Sequence, residues 1–363
     1  MTTYLDYQAT TPLAPEALAA MRPWLEDKFA NPHSPHRLGR EAAAAVSVAR
    51  DAVAALLPPG GQVYFTSGAT EALNWALRCA GQGGLAVLDT EHAAVRDTAL
   101  WLGTQGRDVQ LLPVDADGLT DPAATLPKGT GMAAAMLVNN EIGVIQPIAA
   151  LADAAHAAGA LFLCDAVQGF GRVDVPAGPD LIAISAHKIH GPKGIGALWV
   201  KDGVDITPLL HGGGQEGGLR SGTLSPALCA GFGAAARLAA QRQADDAAHV
   251  ARLWDVALET LPDGWSINGS VTARYRGNLN IRCDGVDVAR LISDLRDIAF
   301  SAGSACASGS GRPSHVLRAL GLSDAAAKSS IRIGFGRYTT EEELRDALNR
   351  ICGAAREQGR PTS

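Results

Sequence analysis

None of the six cysteines stands in a C-x-x-C pair, and no group of them has the spacing of zinc ligands. They are scattered at Cys79, Cys164, Cys229, Cys283, Cys306 and Cys352, which predicts free thiols in a reducing cytoplasm and no disulfide scaffold. The chain also lacks a run of basic residues. That argues against nucleic acid and against an anionic membrane surface as partners, in keeping with a net charge of −6. No apolar stretch reaches the roughly 18 residues that span a bilayer. Met1 to Asp6 offers neither a basic segment nor an apolar core, so no secretory signal peptide is expected. A G-x-G-x-x-G fingerprint after an early strand is missing too. The glycines of Gly81-Gln82-Gly83-Gly84 precede a strand instead, which speaks against nicotinamide dinucleotide binding. No internal repeat or low-complexity linker interrupts the chain.

What remains is ordinary globular composition, 47% hydrophobic and 19% charged, over 363 residues. That length exceeds a single core and predicts one larger and one smaller domain. Short apolar runs alternate with Ala-rich helical patterns. Strands are expected at 62–66, 85–88, 133–138, 161–165, 181–185 and 196–200. Helices are expected at 70–79, near 95–102 and at 148–158. This alternation predicts an α/β fold with a mostly parallel sheet covered on both faces, its ligand lying beyond the carboxyl ends of the strands. Ser67, His92, Asn140, Asp165, Gln168 and Lys188 fall at those ends. After a helix at 234–261 the character changes. Asn278 to Arg282 and Ser330 to Ile333 read as strands of the smaller domain, and Leu295, Ile298 and Phe300 lead into a loop.

Three groups carry the chemistry. Lys188 ends Ser185-Ala186-His187-Lys188, at the mouth of the apolar strand Leu181-Ile182-Ala183-Ile184. An amine that loses hydration there is a candidate Schiff-base former; taken alone, a lysine in this place also reads as one that snorkels to solvent. Thr66-Ser67-Gly68-Ala69-Thr70-Glu71 follows a strand and opens a helix, which makes either a phosphate cup or an ordinary N-cap. Asp165 ends a third apolar strand. It reads as a helix cap or as the partner of a protonated pyridine nitrogen. Cup, carboxylate and lysine in this order are the parts needed to hold pyridoxal phosphate, and Asp165 and Lys188 stand 23 residues apart, enough for a crossover between neighbouring strands.

With these residues in view, the chain resembles the cysteine desulfurases of the class V aminotransferase family, in the group with a long active-site loop. The resemblance is carried by Tyr4 to Pro12, Asn31-Pro32-His33-Ser34, Thr66 to Glu71, Glu91-His92 and Val138 to Gly143. It continues through Ser185 to Lys188, His211 to Gly214, Arg220 to Thr223, Ser304-Ala305-Cys306 and Ser330-Ile331-Arg332. It implies the aspartate-aminotransferase-like fold of type I, with a large domain over 14–255 and a small α+β domain from 1–13 and 256–363. Lys188 would bond pyridoxal 5′-phosphate covalently, Asp165 would pair with its ring nitrogen, and His92 would stack on the ring and move protons. Asn140 and Gln168 would face its phenolic oxygen. Ala69, Thr70, Ser185 and His187 would hold the phosphate, joined by Thr223 from the second subunit of a homodimer. Arg332 would clamp the carboxylate of L-cysteine, with Asn31 helping to position it. Cys306 would receive the sulfur as a persulfide and pass it to an acceptor, either an iron–sulfur scaffold or a tRNA-thiolation protein, in the cytoplasm. No metal is expected.

Cys306 stands out on composition as well. It is the one residue other than Ser, Ala or Gly from Ser301 to Gly311, a stretch that predicts a mobile tether; an exposed, inert thiol is the plainer alternative. Some positions depart from the family pattern. Ala186 stands where glycine is common, Val167 replaces a frequent threonine, and Gly217 a usual arginine. A selenocysteine lyase, or another pyridoxal-dependent β-elimination enzyme, is the alternative within the same fold; an inactive scaffold or sulfur-relay partner is the alternative outside it. His156 and His249 read as solvated, and His190 as a residue that shapes a turn.

Overall fold

A computed structural model describes residues 2–303 and 313–359. Cys306 therefore lies outside the described residues. At the centre is a seven-stranded sheet in the order Gly61–Thr66, Gly196–Lys201, Leu181–Ser185, Leu161–Asp165, Thr130–Met136, Gly84–Leu88 and Val109–Leu112. Only Gly196–Lys201 runs against the rest, so the sheet is mostly parallel, as the strand–helix alternation requires. Leu181–Ser185 is buried along its whole length. Its pleat sends Ile182 and Ile184 into one core and Leu181 and Ala183 into the other. Burial on both faces is why the strand reads as an unbroken apolar run. The edge strand Val109–Leu112 escapes a sequence reading because it is short and half-exposed.

The helices match their expected places with one large extension. The long helix begins at Pro226, eight residues before its expected start, and runs to Thr260. Ser225 caps it, its hydroxyl accepting from Leu228 N at 3.3 Å, and Pro226 occupies the first turn, where its missing N–H does no harm. At about 1.5 Å per residue this helix is roughly 50 Å long. Cys229, Phe232, Ala235 and Ala236 pack into the core of the large sheet, whereas Val250, Leu253, Trp254 and Ala257 pack into a second core. Among the described residues, no helix is long and apolar enough to cross a membrane.

The second core lies against an antiparallel sheet ordered Ser301–Ala302, Ser330–Gly334, Asn278–Arg282 and Ser266–Ile267. The segment expected to lead straight into a loop instead forms two short strands. Ile298–Ala299 pairs in parallel with Thr3–Tyr4, and Ser301–Ala302 with Arg332 and Ile331. Buried Ile298 and Phe300 supply the reason, since both belong to this second core. The N-terminal segment is drawn in with them. Leu5 is fully buried there, and Gly334 N donates to Leu5 O at 2.8 Å.

The carboxyl ends of the central parallel strands and the start of helix Ala69–Cys79 converge at one edge of the large sheet. Gly196 makes that convergence close. A Cβ at this position would lie 2.5 Å from Ile184 O, 2.8 Å from Gly68 C and 2.9 Å from Ala69 N. These are backbone atoms of the lysine strand and of the cup, and neither can swing aside. Gly196→Ala is therefore expected to cost about 1–3 kcal/mol. The measurement is urea denaturation, with a lower midpoint at unchanged slope; a midpoint equal to wild type would show that the three segments do not meet so tightly.

Candidate functional site

Strand Gly61–Thr66 delivers Ser67 and Gly68, and the helix Ala69–Cys79 starts at once. No side chain caps its first turn, so the N–H groups at its start are available to an anion. Ser67 N donates to Glu71 Oε2 at 2.7 Å, and Arg220 grips the same carboxylate through Nε at 2.7 Å and Nη2 at 3.0 Å. Burial works against the Glu71 charge, but the Arg220 and Ser67 hydrogen bonds outweigh it and hold the carboxyl below its usual range. The cup is thus braced from outside by a fixed ion pair.

Asp165 sits at the end of Leu161–Asp165 and is 3% exposed. Its Oδ1 accepts from Val167 N at 2.9 Å. Burial raises its pKa to about 6, against the Val167 N–H and the charge of Lys188. Beside it lies Glu91, also buried, whose Oε1 accepts from Met136 N at 2.6 Å while Oε2 has no partner among the described residues. Burial, and then the nearby Asp165, push the Glu91 carboxyl well above its ordinary range. A cation placed against Asp165 would relieve both acids.

Lys188 closes a single 3-10 turn, Ala186–Lys188, that follows the buried strand. Its Nζ donates to Ala9 O at 2.7 Å and to Gln8 O. Burial is the main reason its pKa falls to about 7; Arg172 and Arg332 push the same way, and Asp6 and Asp165 oppose them. His92 caps helix Ala93–Thr104, its Nδ1 accepting from Ala94 N at 3.0 Å, which places the ring proton on Nε2. Burial and Lys188 lower its pKa. His187 is held neutral, pushed down to about 4 by burial and then by Lys188, Lys193 and Arg172; its Nδ1 lies 3.1 Å from Thr10 Oγ1.

Arg332 has no exposed surface. Its Nη2 donates to Asp6 Oδ1 at 2.7 Å and its Nη1 to Asn140 O at 3.0 Å, while Nε has no partner among the described residues. Asn140 Oδ1 is likewise buried and unpartnered among them. Gln168 is occupied on both ends. Its Nε2 donates to Gln8 O at 2.8 Å, and its Oε1 accepts from Arg172 at 2.7 Å.

These residues enclose a cavity of about 490 Å³. The structure brings together Ala69, Thr70, His92, Asn140, Asp165, Gln168, Ser185, His187, Lys188 and Arg332 around it. Asn31 and Thr223 are exposed and do not line it in this single chain. Of the three histidines read outside the site, one differs from its expectation and two meet theirs with added contacts. His249 is half-buried, with Nε2 2.9 Å from Thr339 O. His190 does take a left-handed turn conformation, at φ 68°, but it is also buried, with its ring edge-on to Tyr7 and Tyr338. His156 is exposed, as expected, yet its Nε2 lies 2.8 Å from Asp180 Oδ2.

Sequence reasoning missed Gln8 and Ala9 as acceptors for Lys188, Lys193 as a wall of the cavity, and the acids Glu91 and Glu141. Glu141 is buried, accepts from Ser314 Oγ, and has its pKa raised to about 7 by burial. The runs Tyr4 to Pro12, Glu91-His92 and Val138 to Gly143 contain all of these residues except Lys193. The signal was there, but nothing local said that Gln8 and Ala9 would face the cavity or that Glu91 and Glu141 would be buried behind it.

Comparison with known proteins follows the same outline. The aminotransferase class-V family matches residues 3–347. The chain is 42% identical to the cysteine desulfurase IscS of Rickettsia akari over 368 aligned positions, covering 96% of this chain and 90% of that protein. A solved NifS-like protein superposes with a TM-score of 0.88 at 31% identity, covering 98% of this chain and 99% of its own. SspA in complex with cysteine superposes with a TM-score of 0.82 at 34% identity, covering 93% and 100%.

The depressed Lys188 amine has a measurable consequence. Cofactor-free protein treated with pyridoxal phosphate and a borohydride trap should label Lys188 at a rate that levels off just above pH 7. An ordinary lysine, with a pKa near about 10.4, would still be accelerating well into the alkaline range. A label rate that climbs in that way would show the amine to be unperturbed.

Proposed function

This chain belongs to the aminotransferase class-V family, and from that premise we infer that it is a cysteine desulfurase, taking sulfur from L-cysteine and leaving L-alanine. The observation that carries the reading is the meeting, in one cavity, of an amine with a pKa of about 7, a buried carboxylate and a buried guanidinium. The 42% identity to a cysteine desulfurase over nearly the whole chain supports the same chemistry.

The cavity residues fit pyridoxal phosphate. Asn140 Oδ1 is a buried acceptor without a donor among the described residues, Asp165 is a buried carboxylate that a protonated ring nitrogen would satisfy, and the start of the Ala69–Cys79 helix presents N–H groups for a phosphate. Lys188 would hold the cofactor covalently, with Ser185 and His187 at its phosphate. When bound, the cofactor supplies an electron sink for the pair left at the substrate Cα. Once the substrate amine has taken its place on the cofactor, the freed Lys188 Nζ would take the Cα proton, a task suited to an amine that burial keeps from holding its own proton tightly. Arg332 orients the substrate carboxylate with the donors that Asp6 and Asn140 leave open. The Cys306 thiolate attacks the substrate sulfur. An S–S bond forms as the Cβ–S bond breaks, and proton return to the carbon completes alanine.

The family resemblance implies a homodimer, in which Thr223, exposed on a loop tied to Glu71 through Arg220, would reach the phosphate of the second copy. Asn31 is assigned to the substrate side. All five described cysteines are free thiols, which fits a reducing cytoplasm. The persulfide goes to a sulfur acceptor, an iron–sulfur scaffold or a tRNA-thiolation protein.

Two measurements test this reading. Lys188→Ala should lose the retained yellow colour on desalting and lower alanine production by on the order of 10²–10⁴-fold. Cys306→Ala should stay yellow yet form no protein persulfide, and full sulfur release from that variant would remove Cys306 from the mechanism. Separately, Arg332→Lys keeps the charge but not the planar fork, and kcat/KM for cysteine should fall roughly 10–100-fold. An unchanged kcat/KM would show that the carboxylate is held elsewhere.

A further inference from the structure

Arg172 is a cation whose described hydrogen-bond partners are all carbonyl or amide oxygens. Its Nη1 donates to Gln168 Oε1 at 2.7 Å and to Gln168 O at 3.4 Å. Its Nη2 donates to Lys188 O at 2.6 Å and to Tyr7 O at 3.3 Å. The face of Tyr275 lies 5.4 Å away. By contrast, Arg332 and Arg337 each hold a carboxylate, Asp6 and Asp246 respectively. Setting a half-buried guanidinium against neutral oxygens alone is unfavourable unless its charge or its geometry is used.

The geometry is specific. Tyr7 O belongs to the segment whose next two carbonyls, Gln8 O and Ala9 O, accept from Lys188 Nζ. Gln168 lines the cavity and bonds Gln8 O from its other end. Lys188 O ends the turn that aims the amine. One fork therefore ties together the amine's backbone, the amine's acceptors and the amide that faces the same cavity.

We propose that Arg172 is a positioning residue for the desulfurase reaction, fixing the Lys188 turn, the Gln168 amide and the 7–9 segment as one unit. The proposal rests on the function inferred above. The other charged and titratable groups facing Nζ are Arg332, Asp6, Asp165, His92 and His187. Arg332 acts in the same direction, while Asp6 and Asp165 favour the ammonium. Arg172 is the largest of the charges acting on the amine. The sign follows directly. Removing a neighbouring positive charge stabilises the ammonium, so a higher pH is needed to free the amine.

The test compares wild-type, Arg172→Gln and Arg172→Lys holoenzymes at matched folded fraction, checked by circular dichroism. In the holoenzyme the proton sits on the same Lys188 nitrogen, now bonded to the cofactor, and a neighbouring cation disfavours it with the same sign; each enzyme is titrated from neutral to alkaline pH, following the cofactor's visible absorption together with kcat and KM for cysteine. Arg172→Gln should move the titration midpoint and the acidic limb of kcat upward by about one pH unit. At neutral pH it should lower kcat roughly 10-fold with little change in KM. Arg172→Lys, which keeps the charge and loses the fork, should leave the midpoint in place and still lower kcat. An unmoved midpoint in Arg172→Gln, or an equal shift in Arg172→Lys, overturns the proposal. So does a kcat loss that vanishes once folded fractions are matched. A yellow wild-type enzyme that makes no alanine from cysteine would refute the desulfurase reading itself, and the absorption titration would still decide the role of Arg172.

Discussion

An ammonium that loses water has few ways to remain charged, and Lys188 is denied most of them. Its nearest described partners are two backbone carbonyls, and the closest strong charges include two guanidinium groups. Carboxylates that could rescue it are compromised in turn. Asp165 is pushed toward neutrality by its own burial, and Asp6 is already engaged by Arg332. The site is thus short of negative charge around its amine and short of positive charge around its acids. Burial pushes Glu91 and Asp165 upward, toward the protonated acid, and Lys188 downward, toward the free amine. A ligand carrying a ring cation at one end and an anion at the other would repair both shortages at once.

The fold creates this imbalance by topology. Strands buried on both faces carry no polar side chain until they end, so the first polar residue after each appears at the same rim. Asp165 and the Ser185 to Lys188 turn arise in this way from neighbouring parallel strands. The cup arises from Gly61–Thr66, which reaches the rim through the single antiparallel strand between them. The smaller sheet contributes from the other side. Arg332 lies within Ser330–Gly334, and the N-terminal segment crosses between the two, with Asp6 bridging to Gly334 and Thr11 accepting from His190 N.

Much of this was legible in the residues. The apolar runs ending in Asp165 and Lys188 announced their strands because fully buried strands have no alternation to blur them. The cup was legible because Ser67-Gly68-Ala69, set between a strand and a helix, are too small to cover the N–H groups at the helix start. What stayed hidden has a common physical cause. Val109–Leu112 is an edge, half wet, and its pattern carries little contrast. The strands at 298–302 are two residues each and exist only because Ile298 and Phe300 found a core assembled from distant segments. Arg172 gave no sign at all, since its partners at Tyr7 and Lys188 are backbone oxygens that any sequence possesses. The first turns of the long helix are Ala- and Gly-rich and carry little periodic contrast, so its start is marked only by Ser225-Pro226.

That the amine leans on backbone oxygens has a consequence for how such an enzyme can drift. Side chains at positions 8 and 9 can be exchanged without deleting the groups that receive the lysine's hydrogens, because every residue brings a carbonyl. For this anchoring those positions answer only to the path of the main chain; the Gln8 side chain has a separate task, donating to Gly277 O at 2.9 Å. Two enzymes could therefore share this anchoring while differing at both letters, and an alignment scored on residue identity would be blind to it.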